Sequence, residues 1–163
     1  MSNLSSLHII YASTSGHTEY VVDTVEQYMK EHVPTLSFER QRAEQATAED
    51  LLRGDVVILG SGTWNTGGIE GQLNMYMHDL VHQKASTVDF MKKPMTCISL
   101  GDDRYYFRTR CTEHLLRYIR EHNGMLFVPP LIIVNEPYGQ EERVQRWAQK
   151  LAEKMLEETL PKT

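Results

Sequence analysis

The chain has 163 residues, 40% of them hydrophobic, which is enough for one ordinary core and too little for two, so a single domain over residues 1–163 is expected. Its apolar runs fall far short of the ~20 residues of a membrane helix, and its first residues lack a basic-then-apolar leader. These features predict a soluble cytoplasmic protein. Two cysteines, Cys97 and Cys111, predict free thiols in a reducing compartment rather than a cysteine metal site.

The net charge of -5 is unevenly spread. Up to His82 there are 11 acids and 4 bases, and from Gln83 onward 11 acids and 13 bases. Lys92, Lys93, Arg104, Arg108, Arg110, Arg117 and Arg120 fall in one stretch, which reads either as a partner-facing patch or as a solvated face. No nucleic-acid-binding signature accompanies it.

Short apolar or β-branched runs predict strands over 7–12, 36–41, 56–60, 95–100 and 125–134. Helical periodicity predicts helices near 17–32, 71–82, 107–122 and 139–158. In the last, Val144, Trp147, Ala148, Leu151 and Met155 make one apolar face. Alternating strands and helices predict an α/β fold, a three-layer sandwich with a five-stranded parallel sheet. Ligands of such sheets bind beyond the carboxyl ends of the strands.

Three segments are placed at those ends. After the first strand come Ser13, Thr14, Ser15, Gly16, His17 and Thr18, with four hydroxyls, one glycine and no lysine. A strand, a hydroxyl-rich turn and a helix leave several N–H groups for an anion at the helix start. The missing lysine argues for a monophosphate over a nucleoside triphosphate. The same residues also suit an ordinary N-capped helix. After the third strand comes a glycine-rich loop with Thr63, Trp64, Asn65, Thr66 and Gly67, and after the fourth come Leu100, Gly101, Asp102, Asp103, Arg104, Tyr105 and Tyr106. Trp64 alone would read as a loop anchor. Two aromatic loops at one sheet edge, beside an anion loop, suggest a flat heterocycle held between rings.

These motifs resemble the flavodoxin family over nearly the whole chain. Residues 13–18 match its phosphate loop, Thr63 and Trp64 its inner aromatic segment, and Gly101, Asp102 and Tyr105 its outer loop. No inserted segment splits the fifth strand, as in the short-chain type. The resemblance, rather than the residues by themselves, implies the doubly wound strand order 2-1-3-4-5 and bound FMN. Ser13, Thr14, Ser15, Gly16, His17 and Thr18 would hold the phosphate. Trp64 and Tyr105, or Tyr106 if the loop is shifted, would stack on the flavin. Thr63, Asn65, Thr66, Gly67, Leu100, Gly101 and Asp102 would line it.

The resemblance also implies a monomeric, low-potential carrier of single electrons between a flavodoxin reductase and acceptor enzymes. The alternatives are an FMN-dependent NAD(P)H:quinone reductase and an adaptor docking an acidic partner. Asn65 stands where many relatives have glycine before the peptide that turns toward the flavin, which predicts a less stable one-electron-reduced state. Arg104 departs from the usual acidic or neutral outer loop and is expected to raise the second reduction potential. His78 and His82, four residues apart, are read as surface histidines rather than metal ligands. The chain lacks the Cys-x5-Arg of a low-molecular-weight phosphatase and the acids of a receiver domain after its first strand.

Overall fold

The computed structural model describes residues 4–66, 69–101 and 110–159. Strands β1 (Ser6–Tyr11), β2 (Ser37–Arg42), β3 (Val56–Thr66), β4 (Ile69–Leu73), β5 (Pro94–Gly101), β6 (Met125–Leu126) and β7 (Leu131–Val134) alternate with helices α1 (His17–His32), α2 (Met75–Asp79), α3 (Arg110–Glu121) and α4 (Glu141–Thr159). The parallel sheet runs β2-β1-β3-β5, with β6 and β7 successively on the far side of β5. Counting the broken pair β6 and β7 as one position gives the expected order 2-1-3-4-5.

The central strands are apolar on both faces because both are covered. Leu7, Ile9, Val56, Ile58, Ile98, Leu100, Leu131 and Ile133 face α1 and α4. Ile10, Val57, Leu59, Met95 and Cys97 face α2 and α3. In α4, Val144, Trp147, Ala148, Leu151 and Met155 fill the seam, as their spacing predicts.

Three boundaries differ from the sequence reading. β3 continues past residue 60 to Thr66 and folds back as β4, so 69–73 form an antiparallel strand rather than the start of a helix. The helix instead begins after Asn74, whose side chain accepts the Tyr76 N–H at 2.9 Å. Its final turn, Leu80–Lys84, is a wider π turn. The expected strand over 125–134 is broken where Pro129 and Pro130 remove two donors. Side chains serve the carbonyls there: Thr96 donates to Val128 at 2.8 Å, and Trp147 to Pro129 at 2.8 Å. α4 begins at Glu141, two residues after Gly139, whose φ of 89° is not helical.

Both cysteines are free and buried. The His78 and His82 rings lie 4.4 Å apart, and among the described residues no group of three or more potential metal ligands occurs. Among the described residues no helix is long and apolar enough to cross a membrane.

His8 is buried on the central strand β1, its Nε2 donating to Gln41 Oε1 at 3.2 Å. Burial lowers its pKa, with Glu39 opposing the shift. Above pH ~6.5 the ring is neutral in both folded and unfolded chains. As pH falls below that value, the unfolded chain takes up the proton first and stability declines. Denaturant titrations at pH 7.5 and 5.5 should show a smaller pH-dependent loss in His8→Gln than in the native chain. Leu151→Ala, at a fully buried position, should cost about 2–5 kcal/mol in urea unfolding through lost contacts and a cavity.

Candidate functional site

At the end of β1 the Ala12 N–H donates to the Gly60 carbonyl at 2.9 Å, holding the chain against β3 before the loop departs. Gly16 then takes φ 92°, a conformation a side chain would strain, and α1 starts at the next residue. No side chain caps Gly16 itself. Ser13 Oγ accepts the Glu19 N–H at 3.2 Å, and the Gly16 carbonyl accepts the Tyr20 N–H at 2.9 Å. Among the described residues the N–H groups of Thr14, Ser15, Gly16, His17 and Thr18 have no protein acceptor. Thr14, Ser15 and Gly16 are exposed, whereas Thr18 is buried. Five N–H donors at the positive end of a 16-residue helix are thus left open, and Ser13 caps only the Glu19 N–H.

Close packing fixes this loop to the sheet. A Cβ on Gly60 would lie 3.3 Å from Tyr11 Cβ and 3.6 Å from Thr18 Cγ2, so the absence of a side chain at 60 lets α1 approach β3. Arg42, opposite Tyr11 on the neighbouring strand, donates to the Ser13 carbonyl at 3.3 Å and pairs with Glu19. Tyr11 Oη donates to Glu19 at 3.3 Å and accepts from Arg40 at 3.2 Å. The loop therefore has a fixed cation at its base, already engaged by a carboxylate. Nothing in the local sequence signals this, because Arg42 reaches Ser13 only through the register of β1 on β2.

On the other flank the His17 ring meets Tyr138 edge-on at 5.6 Å, and Tyr20 lies 4.8 Å from Tyr138. Tyr20 Oη donates to Glu141 at 2.6 Å. That bond raises the Tyr20 pKa and lowers that of Glu141. It ties the start of α4 to the start of α1.

Thr63, Trp64, Asn65 and Thr66 lie in the ribbon of β3 and β4, where pairing shifts between Trp64 and Thr66. The extra residue of this bulge lies on β4, where positions 70 and 71 face the single Asn65 of β3. Thr63 Oγ1 donates to Cys111 Sγ at 3.0 Å, and that thiol faces the carbonyls of Ser61 at 3.6 Å and Leu100 at 3.7 Å. Burial raises the Cys111 pKa and pushes Cys97 up to about 12, so both stay protonated. Cys111 joins the ends of β3 and β5 to α3. Ser61 Oγ accepts the Asn74 N–H at 3.1 Å, anchoring the return of β4. The sequence reading missed this polar seam, although a hydroxyl at alternate positions of an apolar strand is its visible trace.

Leu100 and Gly101 end β5, beside Gly62 in the paired register. Residues 13–18, Thr63, Leu100 and Gly101 therefore emerge at one edge from three neighbouring strands. Gly67, Asp102, Arg104, Tyr105 and Tyr106 lie outside the described residues. Of the basic stretch, Arg104 and Arg108 lie outside the described residues, and two of its described members lie far apart. Lys93 donates to the Gly54 carbonyl at the opposite end of the sheet, whereas Arg110 starts α3 near the carboxyl edge.

The family model described as flavodoxin matches residues 9–147. A probable flavodoxin 2 of Bacillus subtilis is 27% identical over 140 residues, spanning 85% of this chain and 88% of that protein. A flavodoxin of Nitratidesulfovibrio vulgaris is 26% identical over 146 residues, spanning 89% and 95%. The crystal structure of oxidised flavodoxin 2 from Bacillus cereus superposes with a TM-score of 0.81 at 27% identity, covering 91% of this chain and 99% of that one. The chain belongs to the flavodoxin family, whose members are FMN-binding electron carriers.

Proposed function

We propose that residues 1–163 form one FMN-binding domain that acts as a monomeric cytoplasmic carrier, passing single electrons from a flavodoxin reductase to acceptor enzymes without turning over a substrate of its own. The observation that carries the reading is the row of five backbone donors, Thr14 to Thr18, left without protein acceptors at the start of α1. Their number and neutrality fit a monophosphate held by many hydrogen bonds.

When bound, FMN supplies one-electron chemistry whose potentials the protein sets. The residues present suit that task. The N–H groups of Thr14 to Thr18 and the exposed hydroxyls of Thr14 and Ser15 orient the phosphate. Ser13 holds the loop's shape through Glu19 while retaining a hydroxyl proton to donate. Arg42 braces the loop from below, with much of its charge offset by Glu19, so it adds little attraction for electrons on the ring. Trp64 and Tyr105 are the proposed stacking partners, and Thr63, Asn65, Thr66, Gly67, Leu100, Gly101 and Asp102 the proposed lining. The buried thiol of Cys111 links the ends of β3 and β5 through Thr63 and the Leu100 carbonyl.

The purified protein should show flavin absorption bands that dithionite bleaches in two stages. A colourless chain that cannot be reconstituted with FMN refutes the assignment. With NADPH and a quinone alone, no turnover is expected, while adding a flavodoxin reductase should restore reduction. Direct turnover would instead mark a quinone reductase. Ser15→Asp places a carboxylate in the cradle and should weaken FMN at least about tenfold, about 1.4 kcal/mol, by flavin-fluorescence titration. Riboflavin, which lacks the phosphate, should bind both forms alike.

A further inference from the structure

β7 is the last strand of the sheet, and its outward face is incompletely covered. Leu131 and Ile133 are buried beneath α4, but Ile132, on the opposite face, is 36% exposed. Beside it runs an open trough of about 400 Å³ lined by Pro130, Leu131, Ile132, Arg143, Arg146, Trp147 and Lys150. Arg143, Arg146 and Lys150 recur at helical spacing along one exposed side of α4. Over seven residues they span about 10 Å of helix.

Six described cations have a carboxylate neighbour: Lys30 with Glu26, Arg40 with Asp23 and Glu26, Arg42 with Glu19, Arg53 with Asp50, Lys84 with Asp79, and Arg110 with Glu113. Lys92, Lys93, Arg117, Arg120 and Lys154 lie outside these pairs, but they do not flank the trough. Among the described residues Arg143, Arg146 and Lys150 have none. Arg143 is held toward the groove by donating to the Ile132 carbonyl at 3.3 Å. This is a positive rail beside an apolar floor, on a chain that is otherwise net acidic.

We propose that this groove docks an extended acidic segment of a partner protein, with alternate acidic side chains on the rail and the intervening apolar ones against Pro130 and Ile132. The length favours a peptide over a small anion, since side chains on one face of an extended chain recur about every 6.6 Å. Strand addition is a poorer match. The carbonyls of Pro129, Ile132 and Val134 already accept from Trp147, Arg143 and Gln140. This surface is separate from the α1 loop and stands whether or not the flavin assignment does.

The test is fluorescence anisotropy of a labelled eight-residue peptide alternating Glu and Leu, titrated with the full chain at low ionic strength. The affinity should fall at least tenfold in Arg146→Glu/Lys150→Glu and less than twofold in Arg117→Glu/Arg120→Glu, which makes the same charge change on α3. A matched Lys and Leu peptide should not bind. Equal losses in the two double variants would reduce the effect to net charge and overturn the proposal. So would an unchanged affinity in the α4 variant, displacement of the peptide by equimolar inorganic pyrophosphate, or self-association that the α4 substitutions abolish. If the α4 double variant does not fold, Arg146→Gln carries the same comparison, with a threefold loss expected and no loss overturning the proposal.

Discussion

The structure depends on the parallel pairing of β1, β3 and β5, three strands buried on both faces. Such strands have no exposed side on which to place chemistry. What they can offer is their ends, and parallel pairing sends those ends to one edge. The α1 loop, the ribbon of β3 and β4, and the end of β5 become neighbours for that reason, although some 40 residues separate each from the next in sequence.

At that edge, local geometry does work that residue identity alone does not describe. A φ of 92° at Gly16 and the bond from the Glu19 N–H to Ser13 Oγ shape the turn while leaving five donors open. Arg42 steadies the loop through the Ser13 carbonyl, and Glu19 offsets its charge. In the proposed flavin site, that balance would let the loop hold a phosphate without making the attached ring much easier to reduce. Hydrogen bonds from a neutral backbone act over a short range, whereas an uncompensated cation would be felt across the ring.

The outer boundary of the sheet follows a different rule. Pro129 and Pro130 interrupt the final strand, and α4 replaces the missing backbone partners with side chains from Trp147, Arg143 and Gln140. These contacts protect the edge against strand addition. They also leave an apolar floor flanked by cations, so the same substitution of side-chain for backbone bonding that closes the sheet creates a separate surface.

The alternation of elements, the apolar face of α4 and the hydroxyl-rich turn after β1 are legible in the amino-acid order alone. These depend on periodicity and on neighbours a few residues apart, which a single chain displays. The same order carries the motifs that resemble flavodoxins. That five N–H groups of the turn stay without protein acceptors emerged only from the folded chain, because it depends on which groups find partners. The fold decided too that 69–73 pair as a strand, since Ile69 to Leu73 bond to the extension of β3 and Asn74 starts the helix after them. The brace from Arg42 and the thiol bridge of Cys111 were invisible for the same reason. Each joins residues through strand register and helix packing across 29 and 48 positions of sequence, and no local pattern encodes such a distance.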